Sequence, residues 1–108
     1  MKIANLLDNL QFGKDNPHAE PLHADPHGRV ILFTLKVGQV IREHNAPSSP
    51  FFVVILKGRG VFTGGDGIER TCEANSLLVF DAGESHTVRA LEELVFVGVL
   101  HGAPGAQK

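Results

Sequence analysis

From Arg29 to Leu100 the chain alternates short apolar runs with clusters of turn residues. The runs predict strands over 29–36, 39–44, 51–57, 60–64, 68–72, 76–80, 85–89 and 94–100. Ahead of them, Ile3, Leu6, Leu7 and Leu10 recur at helical spacing and predict a short amphipathic helix over 2–10. Residues 13–28 hold Pro17, Pro21 and Pro26 among histidines and acids without periodicity, and read as an ordered loop or arm. On this pattern the chain divides into an N-terminal helix and arm, 1–28, and a β domain, 29–108.

The connections constrain how the strands pair. Lys57-Gly58-Arg59-Gly60 and Gly64-Gly65-Asp66-Gly67 are too short to carry a crossover helix, and a parallel pair needs a connection of about a dozen residues or more. The sheet is therefore expected to be antiparallel, closed as a small barrel or sandwich. Two runs, 51–56 and 94–100, are apolar at both odd and even positions, so both faces need cover. The N-terminal helix supplies part of that cover, and a second copy of the chain is the natural candidate for the rest, which makes a homodimer the expectation.

Composition narrows the function classes. At 108 residues, 43% hydrophobic and 20% charged, there is room for one ordinary domain and not for a multidomain enzyme. Roughly 65% of the unfolded surface of such a chain can be buried, so a core forms without disulfides or a structural metal. Ten basic and 12 acidic residues give a net charge of −2 with no block of like charge, which removes the footprint of a nucleic-acid binder. The 12 Gly and 6 Pro favour many short elements and an all-β fold. Cys72 is the single cysteine, so no internal bridge forms, and without a signal-peptide apolar region the cytoplasm is the expected compartment. The longest apolar runs fall far below the roughly 20 residues that span a bilayer, so no membrane partner is expected.

Some local patterns carry no chemistry. Residues 58–64 have the wrong spacing for a dinucleotide loop, and a strand follows where a helix should start. Ser85 and His86 are neighbours in a strand and face opposite ways, so they are no nucleophile–base pair. His23 and His27 stand four apart, but Pro26 breaks the helix that would align them, and with His18 they read as solvated loop residues. Cys72 reads as a small core residue.

The segment Gly38-Gln39-Val40-Ile41-Arg42-Glu43-His44, followed by Gly58-Arg59-Gly60, resembles the first motif of the cupin superfamily. The stretch from Asn75 through Asp81-Ala82-Gly83 to His86 is similar to the second. The resemblance implies an antiparallel cupin-type β-barrel, a double-stranded β-helix or jelly roll, here with the short N-terminal helix. It also implies a metal site, and here the sequence departs from the pattern. The family's second His falls on Ala46, its Glu on Phe51, its second-motif Gly on Asn75, its Pro on Asp81 and its trailing Asn on Ala90. Of four ligand positions only His44 and His86 keep a ligand, as in a subgroup of small stand-alone cupins with one His per motif.

Two imidazoles converging in a barrel hold a divalent ion (Zn, Ni, Cu or Fe) if a third group or water completes the shell. Candidates for the third group are poor: Glu43 should point away from His44, Glu84 lies in a turn, and His101 lies past the last strand. The alternative is a hydrogen-bonded His44–His86 pair or a buried water between them. A ring at position 51 makes the interior more apolar: it reads either as plain core filling or as part of a small-molecule site with Phe33, Ala46, Phe51 and Phe80 as walls. The expected function is thus binding of a divalent metal, a small molecule, or both, inside the barrel. The alternative is a noncatalytic sensing or structural cupin without metal. No residue in the sequence demands catalysis.

Overall fold

The fold is seen in a computed structural model in which residues 1–44 and 49–102 are described. Each strand expected from Arg29 onward forms within a residue of its expected bounds, because the turn residues that close each run stop the pairing there. One further strand precedes them, so the described residues form β1 (His18–Asp25), β2 (Gly28–Leu35), β3 (Val40–His44), β4 (Phe51–Lys57), β5 (Arg59–Thr63), β6 (Glu69–Glu73), β7 (Leu77–Phe80), β8 (His86–Ala90) and β9 (Leu94–His101). They make a five-stranded sheet in the order β1-β2-β9-β4-β7 and a four-stranded sheet in the order β3-β8-β5-β6. The paired strands run antiparallel. No helix among the described residues is long and apolar enough to cross a membrane.

Two expectations for the N-terminal region are corrected. Residues 2–10 form a single turn instead of a helix, marked by the Asp8 amide donating to the Asn5 carbonyl at 3.1 Å. Nine residues are too few to nucleate a helix in water unaided, and Asn5, Asp8 and Asn9 compete for backbone hydrogen bonds. Ile3 and Leu7 are exposed at 74% and 51%, so the helical spacing of apolar residues was not a buried face. The second correction is β1, which lies in the stretch read as an arm. It is an edge strand, exposed along most of its length, so it has little apolar pattern to display. Pro21 sits there beside a bulge between Pro21 and His23, as an edge tolerates.

The segment before β1 is fastened over the five-stranded sheet. Thr34 Oγ1 donates to the Gln11 carbonyl, Gln39 Nε2 to the Gly13 carbonyl at 3.0 Å, and Lys2 Nζ to the Leu22 carbonyl at 3.2 Å. Thr34 is buried beneath it, whereas on the same outer face, farther along the sheet, Val54, Leu77 and Val79 stay exposed.

The core lies between the sheets. β9 is flanked by β2 and β4, so its alternate residues Leu94, Phe96 and Leu100 meet Phe51, Val53 and Ile55 on one side and Leu35 on the other. Phe62, Val88 and Ala90 close the core from the four-stranded sheet. Phe96, Leu35, Ile55, Leu94 and Val53 are at most 1% exposed, and each contributes roughly 1.5–3 kcal/mol over an exposed position. Asn75, where the cupin pattern has Gly, holds φ at 74°, a left-handed conformation that Asn tolerates better than most residues.

Gly98 is the inward residue of β9 between Phe96 and Leu100. A Cβ there would lie 2.6 Å from Phe51 Cζ and 2.9 Å from Phe33 Cε2, so the missing side chain is what admits both rings. Gly98→Ala is expected to destabilise the fold by about 1–3 kcal/mol, since the rings are held by neighbours and cannot swing aside. An unchanged urea midpoint would show that the rings have room to give.

Glu84 ties two turns together. Its Oε2 accepts from the Gly65 amide and its Oε1 from the Asp81 amide, both at 2.8 Å. These donors hold its carboxyl below the ordinary value of 4.5. Because the folded pKa is depressed, the stabilisation is complete above the unfolded value and is lost as pH falls through the folded one. Glu84→Gln should therefore cost about 1 kcal/mol near neutral pH, with the gap from wild type closing below about pH 4.5. A gap that persists unchanged at pH 3 contradicts this assignment.

Candidate functional site

Between the two sheets lies a cavity of about 330 Å³. Ile31 and Phe33 of β2, Phe51 of β4, and Phe96 and Leu100 of β9 form one wall. Ile41 and Arg42 of β3 with His86 and Val88 of β8 form the other. Only His86 and Arg42 are polar among these lining residues.

The aromatic wall is ordered by ring packing. Phe33 stacks on Phe96 with centroids 4.8 Å apart and planes 18° apart, and meets Phe51 edge-on at 6.4 Å and 85°. Phe51 in turn stacks on the His86 imidazole at 5.0 Å and 18°. Such contacts each contribute about 0.5–1.5 kcal/mol beyond area burial and fix ring orientation. His86 is 4% exposed.

A bulge in β3 shapes the opposite wall. Ile41 stands across from Val88, but His44 stands across from His86, so β3 carries one extra residue between the two registers. Alternation alone sends Ile41 and Arg42 to opposite faces, yet both line the cavity. The same bulge sets His44 directly opposite His86 in the ladder. The side chains of Glu43 and His44, and the whole of Ala46, lie outside the described residues.

Of the residues expected from sequence, Phe33, Phe51 and His86 line the cavity. Phe80 stands beside the His86 ring at 4.7 Å and borders a second cavity of about 230 Å³, together with Cys72 and Glu84. Partial burial pushes the Cys72 thiol up, and the side chain packs against the edge of the core. Glu84 is engaged by backbone amides, and His101 lies on the outer side near Phe52, at 6.2 Å. His23 Nε2 pairs with Asp25 Oδ2 at 2.8 Å in solvent, and the His27 amide donates to the same carboxylate at 2.7 Å, which holds the Asp25 carboxyl below its usual range. Sequence reading missed Arg42 and Gly98. Gly98, an isolated glycine in an apolar strand, carried a signal for a close approach, whereas the β3 bulge beside Arg42 had none.

The residues fit a metal only in part. His44 and His86 are in register, but among the described residues no three His, Cys, Asp or Glu side chains gather around a common point. Phe51, at the family's carboxylate position, fills its place with a ring stacked on His86.

The sequence profile described as cupin domain matches residues 31–100. No curated protein sequence matches the chain. Among solved structures, an RmlC-like cupin protein from Desulfovibrio desulfuricans is 25% identical, covers 94% of this chain and 96% of its own, and superposes with a TM-score of 0.87. An uncharacterised conserved protein with a double-stranded β-helix domain from Klebsiella pneumoniae is 18% identical, with 95% and 91% coverage and a TM-score of 0.87. A predicted oxalate decarboxylase from Thermotoga maritima is 22% identical, with 80% coverage of both chains and a TM-score of 0.74. The last two share the fold alone, but the profile match spans well over half of the chain, and the chain belongs to the cupin family.

Proposed function

We propose that this cupin binds a small organic molecule in the cavity between its sheets. The observation that supports the reading is a chamber of about 330 Å³ walled by Phe33, Phe51 and Phe96, with polar groups only at His86 and Arg42. Binding sites for small molecules are mostly apolar concavities of roughly 300–1,000 Å³ with few polar groups, so this one suits a small ligand. His86 supplies one orienting polar contact inside the chamber.

A second reading, a divalent ion (Zn, Ni, Cu or Fe), is favoured by the His44–His86 register. Two imidazoles would hold such an ion, which supplies a Lewis acid when bound. The short donor set makes this the weaker reading. A homodimer through the outer face of the five-stranded sheet is proposed on the adjoining exposed side chains of Val54, Leu77 and Val79, an uncharged strip that two copies bury together.

One experiment tests ligand and ion together. Saturation-transfer NMR with a panel of small neutral and anionic aromatics should show binding to wild type and its loss in Ile31→Phe, which fills the chamber. The same preparation, made without chelator, is assayed for metal, with His44→Ala and His86→Ala alongside. Equal aromatic binding by Ile31→Phe, or none by wild type, overturns the first reading. Absence of metal after anaerobic reconstitution with Fe(II), Ni or Zn overturns the second. Separately, light scattering at micromolar concentration should give twice the chain mass, and a single-chain mass contradicts the dimer.

A further inference from the structure

Arg42 is the one charged side chain among the residues lining the apolar chamber. It also borders a polar hollow of about 450 Å³ formed by Lys14 and Asp15 of the N-terminal segment with Lys36 and Gln39 of the β2–β3 turn. One exposed guanidinium therefore joins an apolar interior to a groove with two lysines and a single carboxylate. Arg59 and Arg70 are held in ion pairs with Glu92 at 2.7 Å and Asp66 at 3.1 Å, but Arg42 enters no ion pair among the described residues. Arg42 also lines a third hollow, of about 340 Å³, that holds Glu69 and Arg89.

We infer that the chamber's ligand is an aryl carboxylate: a flat apolar body against Phe33, Phe51 and Phe96, and a carboxylate at the mouth on Arg42, with Lys14 and Lys36 beyond it. The inference rests on the small-molecule reading of the cavity and names its ligand class. The flat body follows from the walls, which offer a ring face and a ring edge set at 85° to each other. The carboxylate follows from the guanidinium, whose planar fork donates to two carboxylate oxygens at once and is specific for that geometry. An acid placed wholly inside would lose its hydration among phenyl rings, so the charge belongs at the rim, where Arg42 is solvated. The lysines add attraction at longer range, and their side of the groove favours entry with the anion trailing.

Calorimetry on the full chain tests the inference with matched probes: benzoate, phenylacetate and 3-phenylpropionate against their primary amides, and acetate as a head group without a body. At least one aryl carboxylate should bind about tenfold or more tightly than its amide, as a charge-assisted bidentate contact implies, and acetate should not bind measurably. Arg42→Gln should bring that carboxylate down to the level of its amide while leaving the amide unchanged, which also shows that the variant is folded. Equal binding of acid and amide by wild type, or a carboxylate unaffected by Arg42→Gln, overturns the carboxylate assignment and leaves the cavity reading intact. Parallel loss of acid and amide in Arg42→Gln also overturns it, because the residue then acts on the chamber and not on the charge. Binding by no aromatic probe overturns both.

Discussion

The interior of this barrel depends on a place where no side chain is present. At Gly98 the central strand β9 passes so close to Phe51 and Phe33 that a methyl group would meet their ring atoms at under 3 Å. Because the backbone is bare there, Phe51 tips inward and stacks on His86, Phe33 settles on Phe96, and the two stacks meet edge to face. Aromatic packing of this kind is rigid, since each ring has few rotamers and several neighbours. It leaves a chamber with stiff apolar walls, and it puts a phenyl group where the cupin pattern carries a ligating carboxylate. The apolar character of the cavity and the loss of the pattern's carboxylate thus meet at one residue, Phe51.

The second determinant is a single extra residue in β3. Strand alternation is strict, so a one-residue shift in register reverses which side chains face inward. With the bulge between Ile41 and His44, both Ile41 and Arg42 border the chamber, and His44 stands across from His86. Keeping Arg42 exposed at the rim avoids the desolvation that a charge deeper in the chamber would suffer. Polarity is confined to two points, one inside and one at the mouth.

Most of the fold was legible in the sequence because burial and turn chemistry agreed. Most of the strands from β2 to β9 carry apolar residues and stop at or near Gly, Asn or Asp, as β4 does at Gly58, β5 at Gly64 and β7 at Asp81, and their bounds follow from those residues. β1 was not legible, since an exposed edge strand needs backbone partners but no apolar face, and Pro21 within it argued for a loop. The N-terminal helix was expected from four apolar residues whose spacing turned out to reflect no buried stripe. In the site, Phe51 and His86 were readable from the two motifs and Phe33 from the strand pattern, whereas a site role for Arg42 was not. Its placement comes from a register shift that depends on pairing with β8, a long-range event without a local signature. Glu84 was visible as a turn residue, but its bridge to Gly65 required the two turns to be brought together in space.

An aromatic chamber lies between the sheets, and xenon tests most directly whether it is dry. Apolar cavities take up the gas, whereas polar ones keep ordered water. Crystals pressurised with xenon should show anomalous density bounded by Phe33, Phe51 and Phe96, with no protein movement beyond small ring adjustments. A chain of ordered waters running through that space, with no xenon, would contradict the account.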